Sequence, residues 1–153
     1  MRILVDADAC PVVDIAIRIA KENGIEIILY YDDSHITTKD YAKIIVVSKG
    51  PDAVDFALIN DLKANDLVIT QDYGVASMAL AKNAYAINQN GLVYNDNNIE
   101  QLLMTRSIIK KAIKSSKSHI KGPKKRTLDD DKKFEFELNK LIGEVYDSRN
   151  ISA

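Results

Sequence analysis

The sequence predicts an α/β fold, with a mostly parallel central sheet covered by helices on both faces in a three-layer, Rossmann-like arrangement. Three observations carry this. Short apolar runs rich in Val and Ile alternate along the chain with segments whose apolar residues recur at helical spacing. Runs that are apolar throughout suit strands buried between two helical layers, and crossover helices are what parallel strands need as connections. The chain has 153 residues, 46% of them hydrophobic, which suits one core and a single domain over 1–150.

Taken in order, RILV at 2–5 forms the first strand. Pro11 suits the first turn of a helix, where its missing N–H costs nothing. Val12, Val13, Ile15, Ala16, Ile19 and Ala20 then keep a helical period up to a stop at Gly24. IEIILYY at 25–31 is the second strand, followed by a polar loop over 32–42. KIIVVS at 43–48 is a strand ended by Gly50-Pro51, and a helix follows over 52–63. DLVITQ at 66–71 is a strand, 73–82 a helix and AYAIN at 84–88 a strand. NQNG at 88–91 reads as a turn into a short piece, LVY at 92–94. A long helix with a basic face runs from 99 to about 117, a loop with Gly122-Pro123 spans 118–128, and a closing helix occupies about 129–146.

Several classes are disfavoured. No run approaches the ~18 apolar residues needed to cross a membrane. Arg2 is followed by only three apolar residues before Asp6, so no secretory leader is expected. The lone Cys10 allows no internal disulfide and no CxxC zinc pair, and it reads as a small buried residue. Gly50, Gly74 and Gly91 form no nucleotide-binding glycine loop. The expected setting is the cytoplasm, without a membrane partner. A homo-oligomer is left open.

The net charge of −1 hides a segregation. Residues 1–100 carry 15 acids and 8 bases, whereas residues 106–126 carry nine bases and no acid. Clustered Lys and Arg gain from a polyanion through counterion release, so this stretch is the candidate nucleic-acid surface. Arg106, Lys110, Lys114, Lys121, Lys124, Lys125 and Arg126 are its candidate contacts, with RNA favoured over DNA. The bland alternative is a solvated helix face and a basic loop.

The candidate chemistry lies in aspartates. Asp6 and Asp8 follow the first strand, Asp52 and Asp55 open the helix after the third, and Asp72 follows LVIT. In a parallel sheet these three strand exits share one edge, so five acids from distant segments converge. They would repel unless a cation joined them, and oxygen ligands of this kind suit Mg²⁺ or Mn²⁺. Such an ion can activate water and stabilise the leaving oxygen of a phosphodiester. Each acid except Asp6 has a competing structural role. Asp52 with Asp55 resembles a helix cap with a first-turn acid, Asp72 can cap the next helix, and Asp8 can serve the turn before Pro11. Ser48, Thr70 and Asn88 also end strands and can bond a phosphate, water or backbone. Tyr30, Tyr31, Tyr41 and Tyr73 are candidates for stacking on a base.

VDADACPV at 5–12, GPDAVD at 50–55, DLVITQD at 66–72, AINQNG at 86–91 and the late Gly122-Pro123 followed by Asp130 and Phe134 together resemble the YaiI/YqxD family of bacterial proteins, in the PIN-like superfamily. The resemblance covers nearly the whole chain. It implies an α/β/α fold and, through kinship with PIN nucleases, a Mg²⁺ or Mn²⁺ site at Asp6 with Asp8, Asp52, Asp55 and Asp72. The chain departs from the family pattern at Phe56, where a second consecutive acid is common, and at Tyr31-Asp32, Ser107 and Asp131.

The expected function is a metal-dependent nuclease, with Asp6, Asp8 and Asp72 as catalytic residues. The alternative is a non-catalytic nucleic-acid-binding or regulatory module. A phosphatase of the haloacid dehalogenase type ranks lower. A strand ending in DxD opens that motif, but Cys10 stands two residues after Asp8 where Thr or Val is wanted.

Overall fold

The computed structural model describes residues 1–32, 38–48, 50, 52–116 and 125–151. Its elements are β1 (Arg2–Asp6), α1 (Val13–Glu22), β2 (Glu26–Asp32), β3 (Lys43–Val47), α2 (Ala53–Asp61), β4 (Leu67–Ile69), α3 (Tyr73–Ala81), β5 (Tyr85–Ile87), β6 (Val93–Tyr94), α4 (Asp96–Ser116) and α5 (Leu128–Ile151). The six strands form one sheet in the order β3-β2-β1-β4-β5-β6. Every neighbouring pair is parallel except β5–β6.

Alternation along the strands separates the core into two halves. Ile3 and Val5 face one side of the sheet with Ile27, Leu29, Leu67 and Ile69, and α1 and α5 cover them. The covering residues are Val13, Ala16, Ile19 and Ala20 from α1, and Phe134, Leu138, Leu141, Ile142 and Val145 from α5. Leu4 faces the other side with Ile28, Tyr30 and Val68, under Leu58 and Ile59 of α2, Val75, Ala76 and Ala79 of α3, and Ile99 of α4. The result is the expected three-layer α/β/α arrangement. Each fully buried Ile or Leu contributes about 1.5–3 kcal/mol, so these two apolar layers supply the main stabilisation.

Element ends differ from the sequence reading where local hydrogen bonds decide them. Ala9 adopts a positive φ of 58° and Cys10 N–H donates to Ala7 O. The chain is therefore still turning at Pro11, and the first bond of α1 runs from Ala16 N–H to Val12 O. α4 starts at Asp96 and not at 99, because Asn95 Oδ1 accepts the N–H groups of Asn97 and Asn98 while Asn98 Oδ1 accepts that of Asn95. This is a reciprocal cap built from asparagines. Thr127 and Asp130 cap α5 in the same way, and the helix continues past 146 to Ile151. Residues 33–37 of the loop expected at 32–42 and 118–124 of that expected at 118–128 lie outside the described residues.

The turn between β5 and β6 sits directly against α5. Asn88 Oδ1 accepts the N–H groups of Asn90 and Leu92, each at 2.9 Å. Gly91 takes a φ of 88°, and a Cβ there would lie 3.0 Å from both Lys133 O and Glu137 Cγ. Both the dihedral and the space demand glycine. Gly91→Ala is therefore expected to destabilise the fold by about 1–3 kcal/mol, read as a lower urea midpoint with an unchanged m-value. An unaltered midpoint would show that the turn and α5 separate freely.

Candidate functional site

From β1 the chain continues through α1 to β2 and β3 on one side of the sheet, and from β4 through α3 to β5 and β6 on the other. β1 and β4 are hydrogen-bonded neighbours, so the winding direction changes between them. Ligands of open α/β sheets bind beyond the carboxyl ends of the strands at such a point. Asp6 is the last residue of β1, and Thr70 directly follows β4.

These two residues build the centre of the site. Val5 pairs with Ile69, which sets Asp6 beside Thr70. The buried Thr70 hydroxyl donates to Asp6 Oδ2 at 3.1 Å and accepts the Asp72 N–H at 3.0 Å. Tyr94 OH donates to Thr70 O, and the Tyr94 ring meets Tyr73 edge-on. Asp72 Oδ1 in turn accepts the N–H groups of Gly74 at 2.7 Å and Val75 at 3.1 Å, capping α3. The capping role is thus real for Asp72, and it leaves Oδ2 without a hydrogen-bond partner among the described residues.

α2 brings Asp52 and Asp55 to the same place. Asp52 is in the left-handed region, φ 61°, and makes no side-chain cap bond, so capping does not account for it. Asp55 stands in the first turn, half-buried. Burial first, then the charges of Asp6, Asp72 and Asp52, push its carboxyl up to about 6. Asp6 is also raised, by burial first, with the Thr70 hydrogen bond opposing and Asp72 and Asp8 adding repulsion. Asp52, Asp55 and Asp72 line a cleft of about 290 Å³ between α2 and α3, with Phe56 and Met78 at its apolar part and Arg106 of α4 contributing to its wall.

Asp8 is set apart from this cleft. The turn at Ala9 aims it at the end of β2, where Oδ2 accepts the Asp32 N–H at 2.8 Å. It lines a second recess of about 320 Å³ with Cys10, Asp14, Tyr31 and Lys39. Asp6 lines neither recess but senses both, through Asp72 and Asp8. Cys10 is half-buried against the α1 layer.

Among the described residues no three His, Cys, Asp or Glu side chains stand close enough together to hold a metal ion as they are oriented. The donor chemistry nevertheless fits a hard cation. Asp6 and Asp72 each keep one oxygen free of hydrogen bonds among the described residues, and Asp55 keeps both. Burial is the first cause of the raised Asp55 carboxyl, and the repulsion from Asp6, Asp72 and Asp52 that adds to it is what a cation would relieve.

The basic stretch has mixed roles. Lys110, Lys111 and Lys125 are exposed, and Arg106 reaches the acid-lined cleft. Arg126 is a structural anchor: its guanidinium donates to Asp131 Oδ1, Asn90 Oδ1 and Gln89 O, each at 2.7 Å. The side chains of Lys114, Lys117, Lys121 and Lys124 lie outside the described residues. The tyrosines marked for stacking have other duties. Tyr30 is buried and bonds Asp61, Tyr41 donates to Ile25 O, Tyr73 packs on Tyr94, and Tyr31 lines the Asp8 recess. The aromatic ring at the acid cleft is Phe56, which sequence reasoning noted only as a departure from a pattern.

A sequence model described as "Uncharacterized BCR, YaiI/YqxD family" matches residues 4–152. A UPF0178 protein of Clostridium acetobutylicum is 54% identical over 143 residues, covering 93% of this chain and 97% of its own. One from Lachnoclostridium phytofermentans is 52% identical over 147 residues, covering 95% and 99%. One from Exiguobacterium sibiricum is 44% identical over 147 residues, covering 96% and 100%. No solved structure matches. No described helix is long and apolar enough to cross a membrane.

The Asp55 carboxyl holds its proton more tightly in the folded chain than in the unfolded one, where a value near 3.9 applies. Its stabilising contribution is therefore present below about pH 4 and lost as pH rises through about 6. Without added metal, Asp55→Asn is expected to be more stable than wild type at pH 7.5 and to lose that advantage at pH 4. Urea denaturation of the pair at both pH values checks this. A difference independent of pH would refute the repulsion.

Proposed function

The chain belongs to the YaiI/YqxD family, and we propose that it is a divalent-metal-dependent phosphodiester hydrolase acting on single-stranded RNA. One observation carries this reading: Asp52, Asp55 and Asp72 line one cleft at the winding reversal of a parallel sheet, with Asp6 beside it, and burial followed by the charges of its neighbours pushes the Asp55 carboxyl up to about 6. Asp6, Asp55 and Asp72 are the proposed holders of Mg²⁺ or Mn²⁺, with Asp52 at the mouth and Asp8 contributing from the adjacent recess. When bound, the ion supplies charge neutralisation and an activated water.

The chain's own residues then divide the work. Thr70 fixes the Asp6 rotamer from the neighbouring strand and holds the backbone of Asp72. The N–H groups at the start of α3 fix the Asp72 carboxylate. Asp55 accepts no hydrogen bond among the described residues, which leaves its two oxygens free to hold the ion and to orient the attacking water beside it. Arg106, Lys110, Lys111 and Lys125 face solvent or the cleft and are the proposed phosphate contacts. The non-catalytic reading rests on the capping and bracing bonds of Asp72 and Asp8, which give both acids a structural reason to be present.

The deciding experiment is purified protein on labelled single-stranded RNA, with Mn²⁺ or with EDTA, wild type beside Asp6→Asn. Wild type is expected to cleave only with metal, leaving 5′-phosphates, and Mn²⁺ is expected to raise its melting temperature by mass action. Asp6→Asn should fold, since asparagine still accepts from Thr70, and should show neither effect. Equal cleavage by both proteins would place the activity elsewhere, and no cleavage by either would favour the binding module.

The basic surface is tested separately. Lys110→Glu combined with Lys111→Glu should weaken RNA binding for every sequence. It should also flatten the salt dependence by about 0.7 in log–log slope for each phosphate contact removed. Unchanged affinity and slope in the double variant would exclude this face of α4.

A further inference from the structure

The cleft between α2 and α3 has two ends of opposite character. On α2, Asp52, Asp55, Phe56 and Ile59 stand at i, i+3, i+4 and i+7, one face of the helix. On α3, Asp72 is followed by Val75 and Met78, again three residues apart. Each helix therefore contributes acids at its amino end and apolar side chains one to two turns further on, about 5–11 Å along the axis. Ile59 and Val75 are buried at the floor, while Phe56 is 62% and Met78 50% exposed at the rim. An exposed aromatic ring and thioether thus form an apolar rim at the mouth of one cleft.

Charge narrows what the cleft can hold. A second copy docked across a two-fold would bring these acids against their own images. The remaining chemistry is a flat, uncharged ring attached to an anion. The ring can stack on Phe56, and Arg106, which also lines the cleft, can pair with the anion. A volume of about 290 Å³ suits one base and lies at the small end of ligand sites, ~300–1,000 Å³.

We propose that this apolar half is a nucleobase site, in which Phe56 stacks one base of a single-stranded ribonucleotide chain over Ile59 and Met78 while Arg106 receives the adjacent phosphate. The inference rests on reading the neighbouring acids as a nucleic-acid site, and it adds what that reading lacks, a reason for single-strand selectivity. Bases paired inside a duplex cannot reach Phe56, whereas an unpaired base presents its face.

The chain has no tryptophan, so Phe56→Trp introduces a unique fluorophore at an exposed position. Titration with an oligoadenylate ten-mer, with Mn²⁺ and separately with EDTA, is expected to quench it. The same strand in a duplex, and inorganic polyphosphate, are expected not to. Phe56→Ala should weaken oligoadenylate binding about tenfold or more, and Phe56→Tyr should restore it. Unchanged affinity in Phe56→Ala, or equal quenching by polyphosphate, would overturn the base site. So would a dimer that Phe56→Ala dissociates without loss of RNA affinity, since the patch would then belong to a second copy. RNA cleavage that Phe56→Ala leaves untouched would remove the base site and keep the hydrolase. Base-dependent quenching without any cleavage by wild type would keep the base site and remove the hydrolase.

Discussion

Strand β1 runs between β2 and β4 with parallel hydrogen bonding to both, and the chain's progress across the sheet reverses at that position. The reversal leaves a gap above the strand ends, because α1 and α3 depart to opposite faces. Asp6 ends the strand at that gap. Its pairing with the β4 side brings Thr70 alongside, and through Thr70 the start of α3 is held in place. Had β4 joined the other edge of the sheet, Asp6 and Asp72 would not be neighbours. The site therefore depends on one register more than on any single carboxylate.

A concentration of like charge in a half-buried place is costly unless something offsets it. Three local devices do so in part. Helix α3 offers its amino-terminal N–H groups to Asp72, the Thr70 hydroxyl serves Asp6, and the end of β2 offers an N–H to Asp8. Asp55 has none of these and carries the largest upward shift of the group. The arrangement thus separates the acids that accept hydrogen bonds from Asp55, which accepts none among the described residues and whose carboxyl burial pushes up to about 6.

The sequence reading located every strand and helix in the described part of the chain, because uninterrupted apolar runs and helical spacing are strong signals over five or more residues. Strand order was not legible, since pairing is a long-range property with no local mark. Of the five acids expected to meet, Asp52, Asp55 and Asp72 line one cleft and Asp6 lies near it, a placing legible from the rule that parallel strands share an exit edge. The diversion of Asp8 was not, because it depends on a positive φ at Ala9, a residue that does not advertise one. Arg126 was counted with the basic surface because composition cannot distinguish a solvated arginine from one clasped by Gln89, Asn90 and Asp131. Phe56 was not read as lining the cleft because an apolar side chain on a helix is ordinarily core, and only its exposure tells otherwise.

The covering of β1 has a further consequence for how the protein comes into being. One face of this first-made strand is sealed by Phe134, Leu138 and Ile142 of α5, the last-made of the described elements. At ribosomal rates of about 5–20 residues per second, the strand waits on the order of ten seconds for that helix. Through this interval Ile3, Val5 and their neighbours form an unroofed apolar face, half-shielded by α1 alone. Burial of this face is completed only after α5 has emerged.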